Sequence, residues 1–364
     1  MTDKLVDVSV IIPAYRAAQT IGRTLHSIAR QTVTPREIVI VDDGSDDDTA
    51  KVARSFADML APCALKIVTQ PNLGAGAARN RALVEATQPL VAFLDADDEW
   101  LPEKLERSVA EMNAGDYVLV AHDYLNVTPS GYEVCDCRQR FLAPPDPWIQ
   151  LYRRGYIPSC SVVAKRDAVL AVGGFDESLR NAQDFDLWLR LLDPPDAKFT
   201  VFSGALLRYH HTPGGIMSFT ERRLACCEII AVRHLSGIRA RGGSTLFELG
   251  FRMAAIHLEA INAYRHAGKP VKALKTLALL PFRFCRACVD GMMGNDTPPV
   301  SSITSASNQA MPASASNAAP KTTQGSNSIW AVAGISWAAA ILVAYLVQFQ
   351  SLVGPVLRKL GLSG

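Results

Sequence analysis

The stretch Leu90 to Trp100, LVAFLDADDEW, constrains this chain most. Its first five residues are apolar and end abruptly at Asp95, Asp97 and Asp98, which reads as a buried strand with acids at its carboxyl end. Open α/β sheets bind their ligands at that end of their strands. Asp95 and Asp97, separated by one residue, let a turn of chain offer oxygens to one hard cation, Mg²⁺ or Mn²⁺, with diphosphate oxygens completing its shell. The plain alternative is a solvated acidic turn, because D-x-D is short enough to arise by chance.

The chain around this stretch repeats strand and helix. Val6 to Ile12 predicts a first buried strand ending at Pro13, and Ile21, Leu25 and Ile28 stand at helical spacing within Arg16 to Arg30. A second strand, Glu37 to Val41, runs into Asp42 and Asp43 before a helical run from Thr49 to Leu60. Leu65 to Thr69 leads through Gly74 and Gly76 into a helix with Arg79 and Asn80. The order βαβαβαβ predicts an α/β fold with a mainly parallel, Rossmann-like sheet covered by helices on both faces. A dinucleotide-binding dehydrogenase fails on spacing, since Arg79 stands where a third glycine belongs and the loop Pro13 to Ala17 has no glycine.

Further along, a helix from Leu101 to Met112, a strand from Tyr117 to Ala121 and a loop at Pro144 to Trp148 are expected. Gly173 to Leu179 precedes Gln183 to Arg190, a helix with Asp184 in its first turn, where the helix dipole favours a carboxylate. Such an acid is usually no more than a favourable charge or a cap. A last strand from Phe199 leads to His210 and His211, after which Leu224 to Leu235, Leu246 to Ala267 and Val271 to Leu280 read as helices. This basic segment fits either a solvated face or adhesion to an anionic surface.

At 364 residues the chain is long enough for a large domain with appendages, and a net charge of +2 gives no reason to expect a nucleic-acid partner. Of the eight cysteines only Cys285 and Cys288 have C-x-x-C spacing, so free thiols are expected rather than zinc knuckles. The start, MTDKLVDVSVIIPAY, lacks the apolar core and cleavage site of a secretory signal, which predicts a cytoplasmic catalytic part. Ile329 to Val347 holds nineteen residues without a charge, with Trp330 and Tyr345 near its ends, which predicts a C-terminal membrane helix and association with the inner membrane.

Five blocks, VSVIIPAYRA, IVIVDDGSDDDT, QPNLGAGAARNRAL, VAFLDADDEW and GGFDESL followed by AQDFDLWLRL, resemble in this order the inverting glycosyltransferase family 2 with its GT-A fold, over about residues 6 to 220. The resemblance implies transfer of a sugar from a nucleotide-diphosphate sugar to an acceptor hydroxyl, with a divalent cation. It places Pro13, Ala14, Tyr15 and Asp43 at the nucleotide base and ribose. Arg79 falls beside the base or diphosphate, Asp95 near ribose and metal, Asp97 on the metal, and Asp184 at the catalytic base. Relatives usually have Glu-Asp where this chain has Gln183-Asp184.

The resulting organisation is a GT-A domain over 1–219, a basic helical extension over 220–290 and a disordered linker over 291–328. A membrane helix over 329–348 and an interfacial tail over 349–364 complete it. The expected acceptor is a lipid-linked, envelope or exopolysaccharide saccharide. A non-catalytic sugar-nucleotide binding module and a membrane-tethered assembly scaffold are the competing readings, and donor hydrolysis or transfer with Mn²⁺ separates the enzyme from both.

Overall fold

A computed structural model describes residues 4–142, 146–155, 157–212 and 219–294. Strand β1 (Leu5–Ala14) is followed by α1 (Ile21–Ala29), β2 (Thr34–Asp42), α2 (Thr49–Arg54), α3 (Ala57–Leu60), β3 (Ala64–Thr69), α4 (Ala75–Glu85) and β4 (Leu90–Phe93). Then come β5 (Glu99–Trp100), α5 (Lys104–Ala114), β6 (Leu119–His122), β7 (Tyr124–Thr128) and β8 (Gly131–Cys135). The chain continues through α6 (Pro147–Arg154), β9 (Val163–Lys165), α7 (Arg166–Ala171), α8 (Gln183–Leu191), β10 (Phe199–Phe202) and β11 (Leu207–Tyr209). Four helices follow, α9 (Thr220–Arg233), α10 (Leu235–Ala240), α11 (Thr245–His266) and α12 (Pro270–Met292).

The main sheet has seven strands in the order β10-β6-β9-β4-β1-β2-β3. All its pairings are parallel except those of β9 with β4 and β6. Val8, Val10, Ile11 and Ile12 of β1 are buried, as a strand covered on both faces requires. In register, Ala14 of β1 stands beside Asp42 of β2, and Ile11 beside Phe93 of β4. The chain therefore leaves these three strands at one edge, bringing out Tyr15, Asp43 and Asp95 together. A second sheet, β5-β11-β7-β8, begins two residues after Asp97.

Several elements depart from sequence expectation, among them α12, which runs on past Leu280 to Met292. The run from Thr49 to Leu60 forms two helices, and the strand from Phe199 divides at Gly204, whose φ of +124° belongs to the region favouring glycine. Pro147, expected in a loop, lies in the first turn of α6, where its missing N–H leaves no bond unmade. Asp146 caps that helix by accepting from the Trp148 and Ile149 amides.

The fold-class expectation of a C-terminal membrane helix is corrected. Among the described residues no helix is long and apolar enough to cross a membrane. The long α11 and α12 carry charges along their length, Glu248, Arg252, Glu259 and Arg265 on one and Lys272, Lys275, Arg283 and Arg286 on the other. Residues 329–348, on which the expectation rested, lie outside the described residues, as do 349–364 and the expected linker beyond Gly294.

A buried ionic node joins α8 to the helices behind it. Asp186 accepts from Arg190 Nε at 2.9 Å, Arg233 Nη1 at 3.0 Å and His234 Nε2 at 2.9 Å. Burial alone would push its carboxyl up. The His234 hydrogen bond and the charges of Arg190, His234 and Arg233 reverse this and hold it well below the ordinary carboxylate range.

Candidate active site

Arg79 lies on α4, which starts after the Gly74 turn (φ +98°) and runs beneath the strand edge. Its buried guanidinium donates from Nη2 to Asp95 Oδ1 at 2.6 Å and sits 5.3 Å from the Phe175 ring centroid. Desolvation works against its charge, but Asp95 and then Asp184 hold the proton on. Asp184 occupies the first turn of α8, directly after Ala182, a non-glycine residue at φ +57°. Burial pushes the Asp184 carboxyl above its ordinary range, while Arg79, the Phe185 amide and Arg223 pull against that rise. One arginine thus links the acid-bearing strand end with the acid-bearing helix start.

The other two acids are more enclosed. Asp98 is buried, its Oδ1 accepts from the His210 amide at 2.9 Å, and its Oδ2 has no hydrogen-bond partner among the described residues. Burial, then the charges of Asp95 and Asp97, push its carboxyl well up. The same two causes, burial and Asp95, raise Asp97, whose Oδ2 accepts from Thr212 Oγ1 at 2.5 Å. Crowded carboxylates with an orphaned buried oxygen fit a divalent cation, which would relieve the repulsion.

Among the described residues one group of three ligand atoms lies within 4.8 Å, contributed by Asp95, Asp98 and Cys160. Asp97, expected as the direct metal ligand, stands outside that group. Asp98 does not cap the helix that follows. Its carboxylate instead ties the end of β11 to the acidic turn, and Glu103 occupies the N-cap of α5.

Asp43 follows β2 and is buried. Its Oδ1 accepts from Gln70 Nε2 at 2.8 Å and the Leu73 amide at 2.9 Å, and its Oδ2 from the Gly74 amide at 2.8 Å. The carboxylate therefore fixes the loop that starts α4. The Asp43 amide donates to Ala14 O at 2.8 Å, drawing the ends of β1 and β2 together beside Pro13. Tyr15 is exposed at the same edge, next to Arg16 at φ +50°. Gly76 faces Gln183, where an added Cβ would stand 2.9 Å from Nε2. That close approach seats α4 against the start of α8.

Sequence reasoning missed several participants. Cys160 accepts from the Asp95 amide at 3.2 Å across 65 positions of chain. Thr212 reaches Asp97, and the Arg23 guanidinium donates to the Asp97 carbonyl at 2.5 Å. None belongs to a local motif, and only the Trp100 indole, which donates to Cys160 O at 2.8 Å, lies within the acidic stretch itself. His210 is spent on Glu99 at 2.8 Å and His211 on Asn126 at 2.7 Å.

Residues 9–159 match the family model described as glycosyl transferase family 2. The uncharacterized glycosyltransferase alr2836 of Nostoc sp. is 44% identical over 115 residues, which cover 32% of this chain and 35% of that protein. The amylovoran biosynthesis glycosyltransferase AmsB of Erwinia amylovora is 29% identical over 219 residues, covering 57% of this chain and 70% of its own length. The chain thus spans about a third of the first relative and more of the second. Among solved structures, S. aureus TarS 1-349 in complex with UDP-GlcNAc has a TM-score of 0.57 at 20% identity, with 80% of this chain and 90% of that chain covered. The mannosyltransferase PcManGT of Pyrobaculum calidifontis, in complex with GDP-Man and Mn²⁺, has a TM-score of 0.52 at 20% identity, covering 79% and 87%. These two likenesses establish a shared fold.

Proposed function

We propose, from the premise that the chain belongs to glycosyl transferase family 2 through its residues 9–159, that it moves a glycosyl group from a nucleoside-diphosphate sugar to a saccharide hydroxyl with inversion. The observation that carries this reading is Arg79, buried and hydrogen-bonded to Asp95 at the end of β4, with its charge also acting on Asp184 at the start of α8. A binding module or scaffold would need the strand-end acids but has no use for a second, desolvated carboxylate held near them.

In this reading an acceptor hydroxyl attacks the anomeric carbon while the Asp184 carboxylate takes its proton, and the bond from that carbon to the diphosphate oxygen breaks with its electrons leaving on the diphosphate. A raised affinity for the proton suits Asp184 to this task. A divalent cation held by Asp97 with Asp95 would offset the negative charge gathering on the diphosphate. Arg79 orients Asp95 and adds fixed positive charge near the same position. Pro13, Ala14, Tyr15 and the loop clamped by Asp43 would receive the base and ribose.

The donor class is supported by the sugar nucleotides bound in the TarS and PcManGT structures, and a saccharide acceptor by the amylovoran relative. The test is calorimetric titration of the full chain with UDP- and GDP-sugars in Mn²⁺, followed by an assay of nucleoside diphosphate release with saccharide acceptors. Tight binding without turnover for every acceptor and without hydrolysis would favour a binding module instead.

A further inference from the structure

We infer that the outward face of α12 is a docking surface for an anionic lipid bilayer. The helix packs on α9 and α11, and its buried residues are Ala273, Thr276, Leu277, Ala287 and Gly291, the last against Leu235 of α10. Its opposite face is apolar and open to solvent. Val271 is 79% exposed, Leu274 59%, Phe282 73%, Val289 46% and Met292 83%. At 100° per residue these five fall within one quarter or so of the helix circumference, centred opposite the inner face. Apolar side chains so exposed and so aligned mark an interaction surface rather than scattered exposure.

Charge selects the occupant. Lys275 and Arg286 lie beside the apolar stripe on one flank, Arg286 3.7 Å from Asp290, and Lys272 and Arg283 lie further round on that flank, paired with Glu221 and Glu228 of α9. Residues 220–294 carry twelve Lys and Arg against five Asp and Glu. A second copy would bring a like-charged surface against this one, whereas anionic headgroups complement it while the stripe enters the acyl boundary. Such a helix lies in the interface and crosses nothing.

The test is co-sedimentation of the full chain with phosphatidylcholine vesicles, with and without phosphatidylglycerol. Two double variants are compared with the native chain, Leu274→Glu with Phe282→Glu and Lys275→Glu with Arg286→Glu. All four positions face solvent, and unchanged far-ultraviolet circular dichroism and thermal midpoint establish that the variants remain folded. The native chain is expected to bind phosphatidylglycerol vesicles about tenfold more tightly than phosphatidylcholine alone, and each variant to lose on the order of tenfold in that affinity. Contributions from other parts of the chain are common to all three proteins. Equal binding by native chain and variants overturns the inference. So does a native chain that dimerises in light scattering without vesicles and becomes monomeric in the Leu274→Glu, Phe282→Glu variant, which would give the face to a second copy.

Discussion

The Arg79 guanidinium meets the Asp95 carboxylate at 2.6 Å while its charge also reaches Asp184. Asp95 and Asp184 are 89 positions apart in sequence, yet one buried cation moderates both. Its removal would leave two carboxylates facing each other in a poorly solvated site. The electrostatics of the acidic turn and of Asp184 are therefore coupled through a single side chain.

Arg223 tests the electrostatic control of Asp184 without touching the acidic turn. Its charge helps to hold Asp184 ionised against burial. In Arg223→Gln the Asp184 carboxyl should rise further, so the acid limb of a kcat against pH profile should move to higher pH while donor affinity stays unchanged. An acid limb that stays in place would remove Arg223, and with it this account of Asp184 titration.

Asp97→Asn addresses the cation. The gain in donor affinity on adding Mn²⁺ should fall by more than the roughly tenfold that even an outer partner of a metal site is worth. Calorimetry with Mn²⁺ and with chelator measures it. Native activity that is full in chelator would show that no divalent cation is needed.

The Asp186 node is a matter of stability. Asp186→Asn leaves the Arg190, Arg233 and His234 donors facing a neutral group, and should destabilise the fold by about 3–5 kcal/mol in urea unfolding. The native carboxyl titrates below its unfolded value, so its contribution is fully present above the unfolded pKa near 3.9 and is lost as pH falls through the lower folded pKa. The stability difference between native and variant should therefore shrink only in strong acid. A constant difference down to the lowest pH at which the fold survives would argue against an ionised Asp186.

Much of this architecture is legible in the sequence because long apolar runs such as Val8 to Ile12 and Leu90 to Leu94 announce strands buried on both faces. Chain order then places Asp43 and Asp95 at one edge. The second sheet is illegible for the opposite reason. Strands of two or three residues, Glu99–Trp100 and Leu207–Tyr209, have no room for a periodic pattern and exist through their partners. Cys160 and Thr212 reach the acids only through the tertiary fold, and the exposed stripe on α12 looks in sequence like any apolar helix face until the inner face is seen to be filled by other residues.

Lys104 offers a test of the interior beneath the acids. It is fully buried, 4.0 Å from the Trp100 ring centroid, and burial pushes its amine down to about 7. Between that value and the unfolded pKa near 10.4 the unfolded chain binds the extra proton. Stability should rise with pH across this window by at most about 1.4 kcal/mol per pH unit, and the rise should vanish in Lys104→Met. Parallel pH dependences in the two proteins would place the charge of Lys104 elsewhere.

The central claim is that Asp184 takes the acceptor proton, and Asp184→Asn tests it most directly. Single-turnover transfer and donor affinity are measured on the same preparation, with unfolding followed to confirm the fold. The account predicts a loss of about 10²- to 10⁴-fold in transfer rate with donor affinity nearly intact. Turnover close to the native rate in a variant that still binds donor would contradict it.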